Sequence, residues 1–318
     1  TDDVWVLDAA TGDSLGLHSL DLRRGETDEP HGIAVSPDGS HWYATLAHGA
    51  PTLWKFDARE DRLVGRLELP TRGASRIGID PSGRRAWIPD YWRSGQGQVS
   101  EVAAVDLIAL EVFATPTVCS APHDAQVDPA GDLVAVTCAL SDEVVLLDAV
   151  TAVEVARIAP GGATTVAGAP HLRPMNVVWA ADGATFYVTF MGTHEVATFS
   201  RSGEEVGRVA VGRHPAQLAL VQQQHVLVVA NRGDTSASLV RLDSGNGHAS
   251  SSERIELPDA PHPHGVAVND DGTTAFVTFE GTTRSGGGVV AFSIEDRRVL
   301  WRTEVGAFTL GVAWKRRE

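Results

Sequence analysis

Cysteine, methionine and tyrosine are scarce in this chain: two, two and three residues in 318. No run of about 18 apolar residues occurs, which argues against a membrane-spanning helix. No segment holds an apolar period of 3.6 residues, so very little helix is expected. Positive charge is also short. Twenty-six Lys and Arg stand against 41 Asp and Glu, a formal net charge of −15. The only basic cluster is the tail "KRRE", too little to follow a phosphate backbone, so no nucleic-acid partner is expected. There is no G-x-S-x-G elbow, phosphate loop, dinucleotide fingerprint or CxxCH haem attachment. "SGGGVV" (285–290) is glycine-rich but leads into a strand, not into a helix N-terminus that could hold phosphate.

What the sequence does contain is a repeat. "PHGIAVSPDG" (30–39), "SRIGIDPSG" (75–83), "PHDAQVDPAG" (122–131), "PMNVVWAADG" (174–183), "PAQLALVQQQ" (215–224), "PHGVAVNDDG" (263–272) and a shortened "TLGVAW" (309–314) start roughly 40 to 52 residues apart. Each begins an alternating apolar run, and most then reach a two-residue hairpin turn. A second strand follows, such as "HWYATLA" or "TFYVTFMG". A third closes on an acidic residue, as in "LWKFDA", and a fourth is short, as in "EVARIAP". Four short antiparallel strands per repeat define an all-β propeller. The Asp-Gly pairs at Asp38, Asp182 and Asp271 read as turn formers, and Asp57, Asp106, Asp148 and Asp243 as structural residues closing third strands.

Both chain ends enter this reading. Val4–Leu22 has the character of third and fourth strands, and "TLGVAW" that of a first strand. Seven blades are therefore expected in one domain over residues 1–318. The seventh would be shared by about 1–22 and 303–318, closing the ring and removing free edges. Its second strand is missing from the count. That places further residues upstream of Thr1, with a signal peptide among them.

The elements "FYVTFMG", "AFVTFEG", "VAVNDDG", "IAVSPDG" and "VLDAATG" resemble the YVTN repeats of YncE-like seven-bladed propellers over essentially the whole chain. The resemblance implies the fold and leaves function open, because propellers carry unrelated activities. Cys119, in the loop entering blade three, and Cys138, ending that blade's second strand, fall at one end of one blade. Either a disulfide or two buried thiols fits that placement. A disulfide would point to an oxidising compartment, periplasmic or secreted.

Histidine is concentrated on one face. His31, His48, His123, His171, His194, His214, His262 and His264 all fall in loops of the same end of the disc, out of 12 histidines in all. Eight residues before the hairpin glycine or its equivalent stand His31, Ser75, His123, Met175, Ala216 and His264, with Leu310 in the shortened copy. Blades one, three and six are as near to threefold spacing as a seven-membered ring allows. His31, His123 and His264 are thus candidate ligands for one metal ion. Neutral imidazole suits zinc, copper, iron and nickel, and three histidines with an open position describe a catalytic site. Met175 lies in the same ring, and a thioether nearby favours copper, with zinc and iron also open. Met191, His262, Tyr91 and Trp92 are candidates for a surrounding layer, and "PDYWRSG" (89–95) for a loop covering the mouth. Glu280 and His48 are candidate proton carriers, although Glu280 could equally pair with Arg284. The competing interpretation is that "PHG" is repeat grammar with a solvent-facing histidine.

The expected function is a metal-dependent oxidoreductase, copper favoured, acting on a small molecule at the channel mouth. In arrangement only, the histidine-lined face is similar to the copper propellers of nitrous oxide reductase and methanethiol oxidase. A non-enzymatic YncE-like module holding a protein partner on the same face is the alternative, and a metal-dependent lactonase or lyase the third. A monomer is expected.

Overall fold

The structure is a computed structural model that describes residues 2–22, 29–47, 49–91, 98–162, 165–166, 169–282 and 285–316. Among these residues, helix is limited to two 3-10 turns, Pro160–Gly162 and Gln222–Gln224. None is long and apolar enough to cross a membrane. Six antiparallel sheets of four or five strands follow one another along the chain, four strands of each pairing in sequence order; Thr117–Cys119 adds a fifth to the second sheet, and two two-stranded sheets accompany the six. Their innermost strands are Pro30–Val35, Gly78–Ile79, Pro122–Val127, Pro174–Trp179, Pro215–Val221 and Pro263–Val268. The chain is an all-β propeller.

The structure corrects the expected blade number: there are six blades, not seven. The N-terminal strands Asp3–Leu7 and Ser14–Ser19 pair only with each other. Thr309–Trp314 forms no strand. The reason lies in the hydrogen-bond ladder. An alternating apolar segment becomes a strand only beside a partner offering N–H and C=O groups, and no second strand lies beside this one among the described residues. The ends nevertheless pack between blades six and one. Val4 and Leu20 bury against Trp42, Trp54 and Phe56 of blade one. Leu7, Ala9, Val312 and Trp314 pack on Phe276 and Val289 of blade six. The indole of Trp301 donates to the carbonyl of Ala9 at 3.0 Å.

Turns and blade contacts follow from local chemistry. Gly39, Gly83, Gly131, Gly183 and Gly272 take φ between 68° and 79°, as these hairpin turns require. The Asp38 carboxylate accepts hydrogen bonds from the Ser36 hydroxyl and the Ser40 N–H, which hold its pKa down at about 2. Asp57, Asp106 and Asp148 each accept two backbone N–H groups just beyond the third strand. Those carboxylates are structural, as the sequence suggested. Apolar faces of adjacent blades meet in shared clusters. Tyr43 and Leu53 of blade one pack with Ile88 and Val105 of blade two, and Phe186 and Phe199 of blade four with Leu146 of blade three.

The threonine of the second-strand motif has a specific task. Thr45, Thr137, Thr189 and Thr278 each accept the N–H of Gly32, Asp124, Asn176 and Gly265 on their own inner strand. Each then donates its hydroxyl to a carbonyl of the next segment: Ser75, Met175, Ala216 and Leu310. One hydroxyl thus joins two inner segments at the register position that carries the histidines. The glycine of "PHG" is explained by the same close approach. A Cβ on Gly32 would stand 2.4 Å from the Ser75 oxygen, and one on Gly265 2.3 Å from the Leu310 oxygen.

Candidate functional site

His31, His123 and His264 begin the inner strands of blades one, three and six, and they are only 3%, 1% and 5% exposed. The interpretation of "PHG" as solvent-facing grammar therefore fails for these three. Their rings form one cluster. The centroid of His31 lies 5.6 Å from that of His123 and 5.9 Å from that of His264, both edge-on. The Nδ1 atom of each faces outward to a different group. His123 Nδ1 lies 2.6 Å from the carbonyl of Met175, His31 Nδ1 3.4 Å from the Ser75 hydroxyl, and His264 Nδ1 3.9 Å from Glu280 Oε1. Burial pushes the His123 pKa down to about 3, helped by His264 and the Arg76 and Arg173 guanidiniums. Burial likewise holds His264 well below its ordinary value, with His31, Arg232 and Arg76 adding to it. Both imidazoles are neutral at physiological pH, the form that binds metals. Among the described residues, no three His, Cys, Asp or Glu side chains already stand as a metal-binding group. The ring contacts run from His123 through His31 to His264, and the expected common point is not formed by the side chains as placed.

The surrounding residues divide. Tyr91 stands edge-on to His123 with ring centroids 4.5 Å apart. Burial raises its phenol pKa, while Arg173 and Arg232 oppose the rise. Met175 and Met191 pack with Ala121, Ala139 and Ala216 in an apolar cluster beside Tyr91. Met175 meets the histidines through its carbonyl. Glu280 is engaged by Arg232, whose Nε and Nη2 donate to its two carboxylate oxygens at 2.5 and 2.8 Å. The alternative partner Arg284 lies outside the described residues, as do His48 and Trp92. His262 is exposed, with Nδ1 3.2 Å from the Arg232 carbonyl. His194 and His214 form a separate pair, the His214 N–H donating to His194 Nδ1 at 3.1 Å.

One register position further along the inner strands lies a layer that the sequence reasoning passed over. Arg76, Asp124, Asn176 and Gln217 come from blades two to five and are joined across the channel. Arg76 bonds Gln217 and stands 3.5 Å from the Asp124 carboxylate; Asn176 donates to Asp124. Asp124, Asn176 and Gln217 are essentially buried. Moving the repeat alignment by one residue finds all four. Arg173 and Arg232 had no such signal, since each reaches the mouth from a loop or strand end. A shallow groove of about 580 Å³ lies elsewhere, along Leu67–Pro70 and Glu111–Val112 of the outer strands, and it gathers no comparable set of polar side chains.

Cys119 and Cys138 are joined by a disulfide, with Cα atoms 5.9 Å apart.

Fold and site define a β-propeller with a histidine cluster at one end of its channel. No protein-family model matches the chain, and no curated protein matches it in sequence. Solved structures do. A hydrazine synthase chain from Kuenenia stuttgartiensis superposes with TM-score 0.75 at 14% identity, covering 94% of this chain and 93% of that one. A functionally unknown protein from Desulfotomaculum acetoxidans gives 0.75 at 14%, over 100% and 96%. A periplasmic gluconolactonase from Pseudomonas aeruginosa gives 0.73 at 18%, over 96% and 93%. At these identities the likeness establishes the fold alone.

Proposed function

We propose that the channel mouth is a metal site held by His31, His123 and His264, and that the chain is a metal-dependent oxidoreductase acting on a small molecule there. The observation that carries this reading is one cluster of three buried imidazoles, two of which have Nδ1 held from behind. His123 Nδ1 lies on the Met175 carbonyl and His31 Nδ1 on the Ser75 hydroxyl, the kind of support that fixes the tautomer and ring orientation of ligating histidines; His264 Nδ1 is buried without a hydrogen-bond partner, with Glu280 Oε1 3.9 Å away. Neutral imidazoles in a buried cluster fit a late first-row ion, and copper is the one proposed. Closure of the site needs the rings to turn toward a common point. The ion would supply redox chemistry and a binding position for substrate. The protein would orient the ligands, exclude water and, through the Arg232–Glu280 pair, hold His264. The disulfide supports a periplasmic or secreted setting, and the YVTN-like motifs support a place among YncE-like propellers.

The test is elemental analysis of protein purified without a histidine tag, followed by electron paramagnetic resonance under oxidising and reducing conditions. One copper per chain, lost in H31A, H123A and H264A with the β-sheet spectrum intact, is expected. A stoichiometric spectroscopically silent ion would favour lactone hydrolysis over oxidation. No metal in folded protein loaded with copper or zinc would leave a non-enzymatic binding module.

A further inference from the structure

We propose that the mouth admits a small molecule bearing a carboxylate, and that Arg173 receives that group. The inference deepens the site described above and rests on that reading only in taking this face as the place of binding. Arg173 sits in the loop before the inner strand of blade four, two residues ahead of the carbonyl that holds His123. That loop is firmly tied. The N–H groups of His171, Leu172 and Arg173 all donate to the Asp142 carboxylate, at 2.5, 3.1 and 2.8 Å. The Arg173 carbonyl accepts from the Met191 N–H at 3.1 Å. Its positive charge acts on the phenol of Tyr91, whose ring contacts His123, so the guanidinium lies beside the cluster.

Charge distinguishes Arg173 from its neighbours. Arg76 has Asp124 at 3.5 Å, and Arg232 has Glu280 in a two-bond fork. Arg173 has no carboxylate partner among the described residues, and its buried Nε has no hydrogen-bond partner there. Among the described residues, Arg76 and Arg232 are matched by Asp124 and Glu280, the Asp142 carboxylate is taken up by backbone N–H groups, and the Arg173 guanidinium carries no carboxylate. A bound metal ion adds more positive charge. A partly buried guanidinium retains its charge, and a carboxylate is the group that matches its planar donors with two parallel hydrogen bonds.

Calorimetric titration with benzoate and with neutral benzamide tests this, on tag-free protein both metal-loaded and EDTA-treated. Benzoate is expected to bind at least about tenfold more tightly than benzamide. R173M should remove that preference while keeping wild-type metal content and β-sheet spectrum. R213M, which alters an exposed arginine of the same face, should keep it. Equal binding of benzoate and benzamide, or R173M protein that binds benzoate like wild type, overturns the inference. If wild type holds no metal yet the preference and its loss in R173M persist, the metal reading falls alone. If metal is bound and R173M is silent, the Arg173 inference falls alone.

Discussion

The imidazole of His123 places Nδ1 2.6 Å from the carbonyl oxygen of Met175, in the following blade. A carbonyl only accepts, so Nδ1 carries the proton and Nε2 presents a lone pair. Long-range ¹H–¹⁵N spectra of metal-free protein should show His123 as the Nδ1–H tautomer at neutral pH. An Nε2–H tautomer would contradict the orientation on which the ligand set depends.

Thr137 tests the seam between blades. Its hydroxyl accepts from Asp124 N–H at 3.1 Å and donates to the Met175 carbonyl at 3.0 Å. Valine keeps the shape and strands the Asp124 N–H, while the Met175 carbonyl keeps the His123 Nδ1–H, so T137V should lose about 1–3 kcal/mol in urea unfolding. A loss below about 0.5 kcal/mol would mean that the hydroxyl is not what joins these strands.

The disulfide closes a loop between residues 19 apart in sequence. Constraint of an unfolded loop of that length contributes about 3 kcal/mol. Reduction, or the C119A/C138A double variant, should lower the unfolding midpoint accordingly. Mass spectrometry of unreduced, alkylated protein should find neither thiol free.

Glu280 is 6% exposed and paired to Arg232, with His264 beyond it. E280Q keeps the shape and removes the charge. Metal affinity should fall about tenfold to a hundredfold, as for other outer partners of ligating histidines. The stability loss should be modest, about 1–2 kcal/mol, because the Arg232 side chain is 41% exposed and water screens the pair. Unchanged affinity would remove Glu280 from the site.

Acid stability should have a recognisable origin in the turns. Asp38 has its pKa lowered to about 2, chiefly by the Ser36 hydroxyl, and Asp57, Asp106, Asp148 and Asp271 are lowered mainly by backbone or threonine hydrogen bonds. A folded pKa below the unfolded one stabilises above the unfolded value and loses that contribution as pH falls through the folded one. Stability should therefore drop from about pH 4 to pH 2. D38N should unfold more readily at neutral pH and show a shallower acid limb; an unchanged slope would exclude Asp38 as a contributor.

The sequence by itself determined the repeat, the strand order within a repeat, the turn residues and the histidine register. All of these are written in periods of two residues and of one blade, which survive without tertiary context. The carboxylates at Asp57, Asp106 and Asp148 could be assigned for the same reason: their partners lie two or three residues away. Blade number was decided only by tertiary structure. "TLGVAW" carries a strand pattern, yet a strand needs a paired neighbour, and pattern alone cannot supply one. The site divided along the same line. His31, His123 and His264 were legible because one register position repeats. The pairing of Arg232 with Glu280 across 48 residues, an Arg173 guanidinium without a carboxylate among the described residues and the bond from Arg76 to Gln217 across 141 were not. Those contacts exist because a ring brings distant blades to one axis, and charge finds its partner in space, whatever its separation along the chain.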